Sequence, residues 1–257
     1  MITMSTTSKI ALVTGGSRGL GKDMALRLAE KGVDVILTYV SKEDAALEVA
    51  AQIQQKGQKA AVLHLNTGDI KSFDTFIQQL KSTLQSQFQA THIDYLVNNA
   101  GVGLYAAIPE MSEEQFDEVL NIHFKGVYFL TQKVLTLMND GGGIVNVSSG
   151  LTRVAVPGSS AYAAMKGAVE VYTRYLAKEL GARKIKANVV APGAVMTDFG
   201  GAHLRNDEQL QQFISSVTAL GRPGQAEDIG GVVAFLCSPE AGWVNGQRIE
   251  VSGGMAL

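Results

Sequence analysis

The stretch Ile10-Ala-Leu-Val-Thr14-Gly15-Gly16-Ser17-Arg18-Gly19-Leu20-Gly21 constrains this chain more than any other. Residues 10–13 are apolar enough for a buried strand. Residues 20–31, apolar at Leu20, Met24, Leu26 and Leu28, read as the helix that follows. The glycines between them make the turn tight, admit a ligand close to the backbone and leave the first helical N–H groups free to meet an anion. A plain strand-to-helix turn would use the same glycines.

Two phosphate-binding patterns come close. Gly16-x-x-x-x-Gly21-Lys22 nearly spells a P-loop, but that loop continues with a Ser or Thr for magnesium, and Asp23 stands there. A carboxylate at that point is expected to face the phosphates and repel them. The G-x-G-x-x-G dinucleotide fingerprint fails in register, since the glycines fall as Gly15-x-x-x-Gly19-x-Gly21.

Past this turn, strand-like runs at 33–38, 60–65, 93–97, 144–147, 185–190 and 248–251 alternate with helical ones. The helical runs are 43–56, 73–88 with Ser72 as cap, a long helix from the capping box Ser112-Glu-Glu-Gln115 to Met138, 160–180, and 227–237. Strand and helix in alternation predict one α/β domain, a mostly parallel seven-stranded sheet with helices on both faces. At 257 residues, 46% hydrophobic, the chain can bury one such domain over its whole length. A net charge of -2 gives no attraction to nucleic acid or an anionic membrane. No apolar run reaches the roughly 18 residues of a membrane span, and the first ten residues lack a signal-peptide core. The expectation is a cytoplasmic protein with a loose tail over 1–8. Cys237, the single cysteine, sits in an apolar run and reads as a core thiol, and the scattered histidines predict no metal site.

In such sheets ligands bind beyond the carboxyl ends of the strands. There the chain reads Asn98-Asn99-Ala100-Gly101, Ser148-Ser149-Gly150 and Ala191-Pro192-Gly193. Tyr162-x-x-x-Lys166 places a phenol and an ammonium on one helix face. In this order and spacing, with Ser149 thirteen residues before Tyr162, these motifs resemble the short-chain dehydrogenase/reductases over essentially the whole chain.

The resemblance implies a doubly wound, Rossmann-like fold and hydride transfer between a nicotinamide and a carbonyl or alcohol. Tyr162 would be the general acid/base, and Lys166 would lower its pKa and hold the nicotinamide ribose. Ser149 would hydrogen-bond the substrate oxygen, and Asn121 would hold a water behind the lysine. Gly15, Ser17, Arg18, Gly19, Leu20, Gly21, Asn66, Thr67, Asn98, Ala100, Gly101, Pro192, Gly193, Val195 and Thr197 would line the cofactor. The acid with which NAD-binding members take the adenosine ribose is replaced by Tyr39. With Arg18, Ser41 and Lys42 nearby to meet a 2′-phosphate, NADP(H) is the expected cofactor. Asn66-Thr67 stands where many members have Asp-Val.

The substrate side would be built from 102–105, 151–156 and a lid over 194–220, mostly apolar, with Tyr105, Arg153 and His203 as polar anchors. This points to a small-molecule ketone or aldehyde. A 3-oxoacyl carrier-protein reductase, with Lys125, Arg174 and Lys178 as basic candidates, a sugar or polyol dehydrogenase, and a non-catalytic NADP(H) sensor are the alternatives. The resemblance also implies a homotetramer, with interfaces around 116–137, 163–180 and 243–257.

Overall fold

The structure, a computed structural model, describes residues 8–257, so all but the last residue of the expected tail lies outside the described residues. Seven strands form one sheet: β1 (Ile10–Val13), β2 (Asp34–Tyr39), β3 (Ala60–His64), β4 (Ile93–Asn98), β5 (Met138–Val147), β6 (Lys186–Pro192) and β7 (Arg248–Val251). Their order is β3-β2-β1-β4-β5-β6-β7, and every pairing is parallel. The chain moves outward one way from β1 to β3 and the other way from β4 to β7. The crossovers on either side of the β1/β4 boundary therefore diverge, and a crevice opens at the strands' carboxyl ends.

The two-residue period of β1 builds a core on each face. Ala11 and Val13 pack with Met24, Ala25 and Leu28 of α1 (Gly19–Glu30) and with Ile229 and Val233 of α9 (Glu227–Leu236). The same layer holds α2 (Glu43–Gln55) and the buried Cys237. Ile10 and Leu12 face the other way, against α3 (Phe73–Thr83), α5 (Gly126–Val134) and α6 (Ser160–Glu179). Both faces of each central strand are thus covered, which is why these strands read as continuous apolar runs.

Four elements differ from the sequence reading. The predicted helix to Met138 is α4 (Glu113–Leu120), opened by the Ser112 capping box, then α5 after an intervening wide turn. In that turn, Asn121–Lys125, the Gly126 N–H reaches back to the Asn121 carbonyl, five residues away. The space is set from outside the helix: a Cβ on Gly126 would collide with the Thr67 carbonyl. A second wide turn, Leu84–Phe88, ends α3 early. Ser72 makes no side-chain cap; Asp69 caps the preceding turn and its carbonyl accepts from the Ser72 hydroxyl. Finally, β5 begins at Met138, so the three glycines 141–143 lie within the strand. The lid contains α7 (His203–Asn206) and α8 (Glu208–Ser216).

Candidate active site

The loops after β1 to β6 converge on one cleft of about 870 Å³. At one end lies the glycine loop. Gly15 and Gly19 have φ of 66° and 54°, and a Cβ on Gly21 would collide with the Gly15 carbonyl, so this turn needs glycine. Arg18, at the head of α1, makes no side-chain cap, and the first turn of α1 carries no acid. Its amides and dipole are left for an outside anion.

Thr14 ties this loop to the next one. Its hydroxyl accepts from the amides of Asn99 and Ala100, both 3.0 Å away. Asn99 answers through Nδ2, donating to the carbonyls of Thr14 and Gly15 at 2.9 and 3.2 Å.

Ser17, Arg18, Gly19, Leu20, Tyr39, Ser41, Lys42, Asn66, Thr67, Ala100, Gly101, Pro192, Gly193, Val195 and Thr197 line the cleft with Gly15 and Gly21. At the end of β2 the lining carries a phenol, a hydroxyl and an ammonium, with Arg18 across from them. Two cations and a hydroxyl stand here beside a glycine wall, with Asp198 3.8 Å from Arg18, so these residues fit a dinucleotide bearing an extra ribose phosphate.

Ser149, Tyr162 and Lys166 meet in the same cleft. Ser149 is extended (φ -158°, ψ 151°), and its Oγ accepts from the Leu151 amide at 3.2 Å. The hydroxyl proton is thereby left to point elsewhere. Ser148, next along extended backbone, turns its hydroxyl to Glu170 Oε1 at 2.6 Å. The Lys166 Nζ is buried, donates to the Val147 carbonyl at 2.8 Å and lies 5.6 Å from the centre of the Tyr162 ring. Burial pushes its pKa down to about 8.

In the free protein, burial pushes the Tyr162 phenol well above the ordinary tyrosine value. Tyr105 adds to the rise and a hydrogen bond with Ser149 opposes it. Burial thus keeps the phenol protonated in the free protein.

Two residues expected at the catalytic and cofactor positions lie outside the cleft lining. Asn98 is buried in the sheet, with Nδ2 donating to Thr131 Oγ1 at 3.0 Å and to Asn146 Oδ1 at 2.8 Å. Its neighbour Asn99 faces the cleft instead, as strand alternation would have indicated. Asn121 is also absent from the lining, because the wide turn it begins presents Ile122 and His123 there.

The sequence reading gave His123 no role, but it is fully buried and packs edge-on to Tyr162, the ring centres 4.9 Å apart. Burial, with the Lys166 charge, pushes its pKa down to about 3, so the imidazole is neutral. Its Nε2 lies 2.8 Å from the Val102 carbonyl.

The remaining wall is mostly apolar, with Val102, Leu151, Val156, Leu204, Leu210, Ile214 and Met255, and also carries Glu118, Ser159 and Asp198. Two further rings, Tyr105 and Phe199, stand 6.0 Å from Tyr162. Tyr105 and His203 are in the lining; Arg153 is not, because its guanidinium donates to Glu250 at 2.7 Å. Asp23, the residue that breaks the P-loop pattern, is outside the lining too. It lies on the far side of α1 against Gly230 of α9. Among the described residues no cluster of His, Cys, Asp and Glu could hold a metal, and no helix is long and apolar enough to cross a membrane.

Residues 15–256 match the family described as enoyl-(acyl carrier protein) reductase. A short-chain type dehydrogenase/reductase of Picea abies is 38% identical, over 96% of this chain and 92% of its own. The 3-oxoacyl-[acyl-carrier-protein] reductase FabG of Staphylococcus aureus is 37% identical, over 97% and 99%. Among solved structures, the angucycline C-6 ketoreductase LanV with bound NADP superposes with a TM-score of 0.92, at 38% identity over 97% and 96%. With the parallel seven-stranded fold, the glycine loop and the Ser149–Tyr162–Lys166 cleft, this chain belongs to the short-chain dehydrogenase/reductase family of oxidoreductases.

Proposed function

We propose that the protein reduces the carbonyl of a small, largely apolar ketone or aldehyde with NADPH. The observation that carries this reading is the convergence of Ser149, Tyr162 and Lys166 on an apolar cleft whose other end is a glycine loop flanked by Arg18, Ser41 and Lys42. NADPH, when bound, supplies the hydride.

The chain's own residues supply the rest. The glycine loop and the head of α1 take the phosphates, and Arg18 with Ser41 and Lys42 takes the ribose phosphate. Lys166 meets the nicotinamide ribose. Ser149, its lone pair occupied by the Leu151 amide, donates to the substrate oxygen as charge develops there. Tyr162, kept protonated by burial, delivers the proton that the new alkoxide needs.

The three rings around Tyr162 and the aliphatic lid favour planar, hydrophobic ketones over sugars, whose hydroxyls would find few partners on this wall. A 3-oxoacyl thioester is the second reading, supported by the likeness to FabG over the whole chain.

The setting proposed is a cytoplasmic homotetramer. Exposed Phe116, Tyr128, Val171 and Tyr175 lie on α4, α5 and α6, and Trp243 is fully exposed near β7.

The test is NADPH and NADH consumption with an aryl ketone, a β-keto ester, an acetoacetyl thioester and a quinone, and glucose with NADP+ in reverse. Turnover of several ketones with NADPH supports the reading, whereas a sharp preference for the thioester replaces it with acyl-chain reduction. Tight NADPH binding without turnover would refute it in favour of a sensor.

A further inference from the structure

The segment after β5 that carries Ser149 is held by a chain of alternating charges reaching in from elsewhere in the fold. It runs Glu170, Arg248, Glu250, Arg153. Arg248, on β7, donates from Nε to Glu170 Oε1 and from Nη1 to Glu250 Oε2, both at 2.7 Å. Its Nη2 reaches the Ser149 carbonyl at 3.2 Å and the Thr152 hydroxyl at 3.1 Å. Glu170, one helical turn beyond Lys166 on α6, also takes the Ser148 hydroxyl at 2.6 Å and has the Thr152 hydroxyl 2.9 Å away. Arg153 closes the chain on Glu250 at 2.7 Å. The central pair is largely buried, at 19% and 14% side-chain exposure. Four of the six residues from Ser148 to Arg153 are thus fastened to side chains of α6 and β7.

We propose that Glu170 and Arg248 are positioning residues for Ser149. The inference rests on the role given to Ser149 above. Arg248 fixes the carbonyl of Ser149 directly, while Glu170 draws the hydroxyl of Ser148 to the opposite side of the extended backbone. The Ser149 hydroxyl is then committed to the cleft, and the turn that begins at Gly150 supplies the amide that orients it. Neither residue touches substrate or cofactor; both act through the backbone of 148–152. Displacement of a reacting group by about 1 Å can cost about 100-fold in rate.

The double variant Glu170→Gln/Arg248→Met removes the central pair without stranding one buried charge, and the outer Arg153–Glu250 pair remains. The expected result is a kcat at least tenfold lower with NADPH and a ketone, and an NADPH dissociation constant, read by fluorescence titration, within twofold of wild type. In a Ser149→Ala background the same double change should add no further loss in kcat. Arg248→Lys provides a milder variant that keeps the charge but loses the fork joining Glu170, Glu250 and the Ser149 carbonyl; its kcat should also fall. A wild-type kcat in either folded variant would overturn the proposal, as would an equal loss with and without Ser149 or a matching loss of NADPH affinity. If Ser149→Ala alone keeps wild-type kcat, the role of Ser149 fails first, and the positioning proposal falls with it.

Discussion

Asp23→Asn should stabilise the protein at neutral pH, and the size of the effect follows from where the carboxylate lies. Asp23 packs between α1 and α9 with its side chain 11% exposed, and its Oδ2 is buried without a hydrogen-bond partner. Burial pushes its pKa from 3.8 up to about 6, against the opposing pull of Arg27 and with help from Glu227.

Between those two values the native state holds a proton that the unfolded chain has released. Stability therefore falls as pH rises from about 4 to about 6, and the full cost persists above 6. A shift of about 2 units at about 1.4 kcal/mol per unit sets that cost on the order of 3 kcal/mol at pH 7. An amide of the same shape carries no such cost. For a chain of this size about 1 kcal/mol corresponds to about 2 °C in Tm. Thermal unfolding should thus place the variant about 4–6 °C above wild type at pH 8, with the two converging below pH 4. NADPH affinity should be unchanged, because Asp23 lies outside the cleft. An equal gain at pH 4 and pH 8, or no gain at pH 8, would refute the assignment of a buried, reluctantly ionised carboxylate.

Three further outcomes test the site. Tyr162→Phe should lower kcat by about 100-fold or more, as expected for loss of a general acid, with NADPH binding by fluorescence nearly intact; retained turnover would move the acid to another group. Arg18→Ala should weaken NADPH about tenfold, in keeping with one charge-assisted contact at a half-exposed site, and weaken NADH far less. Equal losses would make Arg18 structural, its partner then being Asp198, 3.8 Å away on the lid. Lys166, pushed down to about 8, is charged below that pH. An anionic cofactor favours the charged form, so NADPH affinity should fall as pH rises through about 8, and Lys166→Met should flatten that profile. A wild-type affinity constant from pH 7 to 10 would contradict the buried ammonium.

The strands and the phosphate-facing turn were legible because local physics decides them. Apolar runs such as 10–13 and 93–97 can be buried on both faces only in a covered sheet, and a turn as tight as that at Gly15 and Gly21 has room for glycine alone. The Tyr162–Lys166 pair was legible for a similar reason, since four residues along a helix is one turn wherever the helix lies. What escaped the sequence is what distant residues decide. The extra-wide turn at Asn121 ends at Gly126, where the Thr67 carbonyl leaves no room for a Cβ, and no pattern within 113–138 encodes that contact.

The burial that acts on Tyr162 is likewise decided by distant residues, and it bears on mechanism. The cation one turn away favours a depressed phenol, and burial of the phenol opposes it. Here one Nζ donor is held by the Val147 carbonyl, and burial governs the phenol in the free protein. A proton donor for carbonyl reduction is protonated near neutrality in this arrangement, although the raised pKa also makes it a weaker acid. A base for alcohol oxidation loses by it. The free protein is therefore set for reduction, and oxidation of the corresponding alcohol with NADP+ should be slow near neutrality and accelerate as pH rises. Initial rates in both directions from pH 6 to 10 test this, and alcohol oxidation as fast at pH 7 as at pH 10 would mean that Tyr162 is deprotonated in the working complex.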